Sequence, residues 1–260
     1  MSSIAVIGGS GFQRLAELQI DRRIVTHTPY GDPSSPLVFG QYAGRNIVFL
    51  PRHGQGHTIP PHLVNYRANI WALKSQGVSK IIALAAVGSI TESFHPVDIA
   101  FPDQLVDYTS SREHSFWDGR GQPVIHIDFS YPYCTSLRDV LCKSSADSRN
   151  INGESCTYAA TQGPRFETAA EIARLQKDGA DVVGMTGMPE AALARELGMC
   201  YATMALIVNP AAGKTGSRVI TMDAVQKRLE IAVKKVSGIL EKALPEVDSL
   251  VCEHPGAMTV

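Results

Sequence analysis

The chain has no surplus of charge of either sign. Its 24 Lys and Arg stand against 25 Asp and Glu, a formal net of -1 over 260 residues. No general field draws it to nucleic acid or to an anionic membrane, so any anion has to be met locally. Cysteine is sparse: Cys134, Cys142, Cys156, Cys200 and Cys252 are odd in number and include no CxxC pair. That excludes a disulfide framework or a zinc knuckle as the organising device and fits a reducing cytoplasm. The opening MSSIAVIGGSGF lacks a basic n-region and a long apolar stretch, and no apolar run approaches the length of a bilayer span. The expectation is a soluble, cytoplasmic, unexported protein. No Pro/Gly/Ser linker, repeat or low-complexity block separates two cores, so one domain is expected over 1–245, followed by a polar tail at 246–260.

What is present is an ordinary globular composition, 44% hydrophobic and 19% charged, with short β-branched runs: IAVI (4–7), NIVFL (46–50), KIIALAAV (80–87), DVVGM (181–185) and YATMALIV (201–208). Several are apolar without alternation, which predicts strands covered on both faces. Between them lie helical stretches with readable ends. PPHLVNYRANIWALKSQG opens on prolines and stops at Gly77; TAAEIARLQKDG offers a capping box, Thr168 with Glu171; PEAALARELG opens with Pro189; and about 222–243 places Val225, Leu229, Val233, Val236 and Leu240 on one stripe. Alternating strands and helices predict an α/β fold, a mixed central sheet flanked by helices.

The strand ends carry the chemistry. IGGSGF closes a strand on Gly8-Gly9-Ser10-Gly11, whose backbone N–H groups can form an anion nest with a hydroxyl alongside, a plain tight turn being the alternative. Arg14 and Phe12 stand where a dinucleotide fingerprint and a nucleophile elbow need glycine. Arg52 and His53 follow NIVFL directly: a planar fork suited to phosphate, with an adjacent imidazole as a further donor, or else a surface Arg beside a satisfied His. His53 and His57 stand at i,i+4, but Gly54 and Gly56 spoil a helix and no Glu completes HExxH, so no metal is expected there. AAVGSI (85–90) runs into a glycine turn; Phe166 and Glu167 precede one helix; Met185 and Thr186 precede another; Asn209 ends a strand that turns on Pro210. Ligands of α/β sheets bind outside the carboxyl ends of strands, and these positions together predict one polar crevice.

In this order, IGGSGF, PRHGQGHTIPPHLVNYRANIWALK, IHIDFSYPY, TQGPRFET and VVGMTGMPEAALARELGMCYATMALIVNPAAGK resemble the trimeric purine nucleoside phosphorylases, within them the branch acting on methylthioadenosine or methylthioinosine. The likeness spans residues 3 to 240. It implies one α/β domain with a partly barrel-like sheet, a homotrimer with the site near a subunit interface, inorganic phosphate as co-substrate, and neither metal nor organic cofactor. By position it implies a phosphate cradle of Ser10, Arg52, His53, the turn at Ala85-Ala86 and Thr186. Ala85 stands where many relatives carry Thr. Met185 would pack on the ribose and Phe166 on the base, with Glu167 and Asn209 on the base edge beside Pro210 and Ala211. His126 would reach a neighbouring subunit's site.

Relatives that cleave adenine nucleosides carry Asp and a small hydroxyl residue where this chain has Asn209 and Glu167. An amide donor to N7 with a carboxylate for N1–H predicts a 6-oxopurine, which adenine cannot mimic. Asn209 would also stabilise the departing purine, with phosphate itself as nucleophile, since no Ser–His–Asp, Cys–His or paired-carboxylate arrangement is visible. Met222 and Val225, at i,i+3, would wall the 5′ end of the ribose where inosine-cleaving relatives place a His; plain core packing is the alternative. The expected reaction is phosphorolysis of 5′-methylthioinosine to hypoxanthine and 5-methylthioribose 1-phosphate in purine salvage. Inosine/guanosine phosphorolysis, methylthioadenosine phosphorolysis and binding without turnover remain open.

Overall fold

A computed structural model describes residues 4–12, 17–117, 119, 125–145, 155–214, 221–252 and 258–259. The apolar runs become strands, joined by others that the sequence reading did not single out: β1 (Ile4–Gly8), β2 (Gln19–Ile24), β3 (Leu37–Tyr42), β4 (Arg45–Pro51), β5 (Lys80–Ser89), β6 (Ile99–Ala100), β7 (Gln104–Asp107), β8 (Ile125–His126), β9 (Thr157–Ala160), β10 (Val182–Gly184), β11 (Cys200–Pro210) and β12 (Met258–Thr259). Ten of them form one mixed sheet in the order β2-β3-β4-β1-β5-β10-β9-β7, with β11 on β5 and β6 on β11. The sheet branches at β5 and stays open, so the barrel-like expectation holds only as a local bifurcation.

That bifurcation makes the site. Along one edge, β5 pairs with β1 through Lys80–Ala83 and with β10 at Gly88 and Ser89, while β11 follows the other edge over its length. Residues 84–87 therefore lack a strand partner on the first edge, and a gap opens there. Ala85 and Ala86 lie inside β5, paired with Ala205 and Leu206, and not in the turn the sequence suggested, because β11 runs long enough to carry β5 through to Ser89.

Both faces of the inner strands are buried, as their unbroken apolar runs require. Ala5, Ile7, Ile81 and Ala83 pack with α1 (Tyr66–Ser75) and α4 (Gly187–Glu196) on one side. Ile4, Val6, Ile82 and Leu84 pack with α2 (Thr135–Ser144) and α5 (Met222–Ser249) on the other. A third cluster joins Ile172 and Leu175 of α3 (Ala169–Lys177) to Ile90, Val183 and Ala211.

Helix ends follow their caps. Thr168 and Glu171 form the expected capping box. The proline-led helix is shorter than expected: Pro60, extended before another proline, leads into a 3₁₀ turn at Pro61–Leu63, and α1 starts only after Asn65, whose side chain accepts from the Ala68 N–H. In α4, Met188 is non-helical, so regular helix begins at Pro189. α5 runs through Pro245 to Ser249, beyond the expected end near 243 and across the proposed boundary at 245. Pro245 and Glu241 lie on the exposed face, where water can take the carbonyl that proline leaves unpaired, while Leu244 and Val247 are fully buried. Of the tail, residues 253–257 and 260 lie outside the described residues.

Candidate active site

A pocket of about 540 Å³ opens at this gap, lined from the ends of β1, β4, β5, β10 and β11 and from the first turns of α5. That volume suits a small organic ligand. Ser10, Arg52, His53, Ala85, Ala86, Phe166, Glu167, Met185, Thr186, Asn209, Ala211, Met222 and Val225 all line it. Pro210 does not, and His126 lies on the exposed part of β8, paired with Met258 of β12.

At the anion end, Arg52 is 1% exposed and its guanidinium is largely engaged. Nε and Nη2 donate to the two Glu190 oxygens at 2.8 and 2.7 Å, and Nη1 donates to the Leu84 carbonyl at 2.8 Å. Burial works against the charge, but Glu190 outweighs it and holds the guanidinium above its ordinary range. Three of five N–H groups are thus committed, and two remain for a ligand. Glu190, wholly buried in the first turn of α4, also accepts from the Tyr201 hydroxyl at 2.8 Å. The sequence reading missed it, although an acid inside the otherwise apolar stretch PEAALA was the available signal.

Capping of the Leu84 carbonyl by Arg52 also orients β5. Strand backbone alternates, so the Ala86 N–H faces the same open edge, whereas Ala85 turns its backbone groups to β11. Of the Ala85-Ala86 pair, Ala86 is therefore the one whose N–H is open to the pocket. Gly9 lets the nest approach this edge: a Cβ there would sit 2.5 Å from the Leu84 carbonyl oxygen and 3.0 Å from Arg52 Nη1. Thr186 makes no side-chain cap to α4, and the residue lines the pocket.

His53 departs from its expected role as a donor. Its Nδ1 lies 2.8 Å from the Ile59 carbonyl, which only accepts, so Nδ1 carries the proton. Burial, then the neighbouring Arg52 charge, lowers its pKa to about 4. The ring is neutral at pH 7 and presents Nε2 as an acceptor, a partner for a P–OH and not for a bare phosphate oxygen. His57 sits with its ring 4.5 Å from that of His53, and among the described residues no third metal-ligating side chain joins the two.

At the other end, Thr161 Oγ1 donates to Glu167 Oε1 at 2.6 Å, which fixes the carboxylate and leaves Oε2 for a ligand. Arg165 bridges to Glu171 at 2.7 and 2.8 Å and to the Phe166 carbonyl at 3.1 Å, bracing the stretch that carries Phe166 and Glu167. Gly163, at φ 61°, brings this loop onto Met185, whose sulfur would lie 2.4 Å from a Cβ at that position. Arg112 ties the same loop to the β10 end: it donates to the carbonyls of Gln162 (2.8 Å), Thr161 (3.2 Å) and Met185 (2.9 Å), and also to that of Met188. Nothing in TSSREH marked it beforehand.

Asn209 is aimed by a bulge. β11 slips one residue against β5 between Ile207 and Asn209, so that Asn209 pairs with Gly88. Its Nδ2 donates to the Pro210 carbonyl at 2.8 Å. The second amide hydrogen and Oδ1 remain for the pocket. Phe166 is 47% exposed and Met222 66% exposed; they stand at the pocket's rim, and Val225 packs behind Met222 against the α5 core.

The comparisons agree with this geometry. Residues 3–245 match the Phosphorylase superfamily. A relative from Pseudomonas syringae pv. tomato, named probable S-methyl-5′-thioinosine phosphorylase, is 50% identical over 94% of this chain and 99% of its own. The 6-oxopurine nucleoside phosphorylase of Pyrococcus furiosus is 44% identical, covering 91% of each chain. Methylthioadenosine phosphorylase from Schistosoma mansoni, solved in complex with adenine, superposes with a TM-score of 0.90 at 32% identity over 96% of this chain and 93% of that one. A sheet that parts at β5 to form a pocket, and sequence likeness along almost the whole length, place the chain in the phosphorylase superfamily.

Proposed function

We propose that the chain cleaves the N-glycosidic bond of 5′-methylthioinosine with inorganic phosphate, releasing hypoxanthine and 5-methylthioribose 1-phosphate for purine salvage. The observation that carries this reading is the base end of the pocket, where Glu167, fixed by Thr161, and Asn209 line one cavity. An ionised Glu167 accepts N1–H, and the Asn209 amide donates to N7. Hypoxanthine satisfies both, whereas adenine turns its N1 lone pair toward a carboxylate, and an unpaired buried group of this kind rejects the wrong base by about 10⁴-fold.

Phosphate is the nucleophile. The two uncommitted Arg52 N–H groups, the Ala86 N–H, and the Ser10 and Thr186 hydroxyls hold it, and His53 Nε2 accepts its P–OH. Glu190 offsets the Arg52 charge, so directed dipoles do much of the holding, which keeps phosphate from being bound too tightly to react. As the glycosidic bond stretches, Asn209 meets the charge that builds on the purine, a preorganised donor worth roughly 3 kcal/mol. No metal or organic cofactor enters this scheme. Met222 and Val225 suit a methylthio group at the 5′ end, where a buried hydroxyl without a partner costs about 1–3 kcal/mol. The proposed enzyme is a cytoplasmic homotrimer in which His126 of one copy completes the site of the next.

A second reading, a 6-oxopurine phosphorylase acting on inosine and guanosine, draws support from the Pyrococcus furiosus relative. Phosphorolysis of methylthioinosine, methylthioadenosine and inosine, compared side by side, separates the readings. Methylthioinosine should lead inosine by roughly ten- to a hundredfold in kcat/KM and methylthioadenosine by more. Equal use of inosine transfers the assignment to the second reading; preference for methylthioadenosine overturns the role given to Glu167.

A further inference from the structure

Three sulfur atoms from distant parts of the chain meet at the end of the sheet away from the pocket. The Sγ atoms of Cys134, Cys200 and Cys252 all lie within 4.8 Å of one another, those of Cys134 and Cys252 being 3.5 Å apart. Cys134 caps α2, where its sulfur accepts from the Leu137 N–H; Cys200 opens β11; Cys252 follows α5. Cys134 and Cys200 are buried and Cys252 is half-buried. Sulfurs that share one ion at about 2.3 Å stand roughly 4 Å apart, so the spacing already approximates a ligand set.

The surroundings suit a site of thiolates. Lys80, 7% exposed, donates to the Asp248 carbonyl at 3.0 Å in the last turn of α5. Lys80 is paired with Cys200 across β5 and β11, so a cation stands beside the charge that ion binding creates.

We propose that Cys134, Cys200 and Cys252 bind one thiophilic metal ion of the Cu(I), Zn(II) or Cd(II) kind, which pins the end of α5 to the start of β11 and the cap of α2. Three S–H bonds give way to three sulfur–metal bonds, and the protons pass to solvent. Soft sulfur ligands select such ions over Mg²⁺ or Ca²⁺. From Cys200 to Asn209, β11 spans roughly 30 Å, so the ion stabilises the fold and takes no part in the reaction.

The test is an anaerobic titration of the reduced, metal-stripped protein with Cd²⁺. The expected result is a thiolate-to-metal charge-transfer absorbance that saturates at one ion per chain. At about 100 times its Kd the ion should raise the thermal midpoint by roughly 5–10 °C. Cys252→Ser should abolish both effects and leave phosphorolysis unchanged, while Cys156→Ser, just before β9, should keep both. Cys200→Ser, checked for fold by circular dichroism, is a second probe of the same ligand set. Competition by Zn²⁺ and by Cu(I) ranks the ions. Absence of a saturable band, or a band that survives in Cys252→Ser, overturns the proposal.

Discussion

Arg52 shows how one side chain can serve structure and ligand at once. Its pairing with Glu190 changes what a substitution there would mean: Arg52→Ala would strand a buried carboxylate with only Tyr201 against it, so lost phosphate binding could not be separated from lost fold. Glu190→Gln is the cleaner probe. Removing one partner of a buried pair costs about 3–5 kcal/mol, and phosphate, as a substitute counter-charge, should return part of it. In thermal unfolding, phosphate should therefore raise the midpoint more in Glu190→Gln than in the parent; equal shifts would place phosphate away from Arg52. His53 gives a pH signature. Its folded pKa of about 4 lies below the ordinary 6.5, so between those values the unfolded chain binds more protons. The His53 contribution is fully present above pH 6.5 and falls by about 3 kcal/mol as pH drops toward 4. Urea denaturation across that window should show a shallower pH dependence in His53→Gln. The sequence singled out both residues as candidates at the end of a strand, and both line the pocket. It did not disclose their partners, because Glu190 and Ile59 reach them only through the fold.

At the scale of elements, legibility tracked the unbroken apolar run and not burial alone, since β3 and β9 are buried and were not read. The five long apolar runs became β1, β4, β5, β10 and β11, because a strand covered on both faces must be apolar throughout. β2, with its exposed QIDRRI, gave no such signal, and neither did the short β6 and β7. α2 was readable in principle, since Leu137, Val140 and Leu141 share a face, but its thiol cap at Cys134 is not a usual start signal. Pro245 suggested an end for α5 because proline breaks a helix interior; the packing of Leu244 and Val247 carries the helix past it. Val247→Ala should therefore cost about 2 kcal/mol, two buried methyl groups with the space they leave. For a chain of this size that lowers the thermal midpoint by roughly 4–8 °C. A loose tail at this point would show no change.

At the scale of the whole molecule, the pocket has a side that the described residues do not cover. Phe166 and Met222, the groups assigned to the base and the 5′ substituent, are 47% and 66% exposed at the rim, although apolar contacts to a ligand gain most where water is excluded. His126, assigned to the 5′ end, lies outside this chain's pocket altogether. The proposed ring of three copies would reconcile these facts, because cyclic symmetry repeats the same contact and would let each copy lend its β8 segment to a neighbour's rim. The consequence is complementation. Asn209→Ala removes the leaving-group donor from a copy's own pocket, and His126→Ala removes the residue lent to the next. A pocket built from an Asn209→Ala neighbour lending its intact His126 and a His126→Ala copy keeping its intact Asn209 has both groups. In a random mixture of equal parts, a quarter of the pockets are of this kind, so reassembled mixtures should reach roughly a quarter of parental activity while each variant alone stays low. Subunit exchange is verified first with two differently tagged chains. Recovery to that level supports the shared site; none, with exchange proven, means that each chain completes its own pocket and that the exposed rim is closed by its own segments.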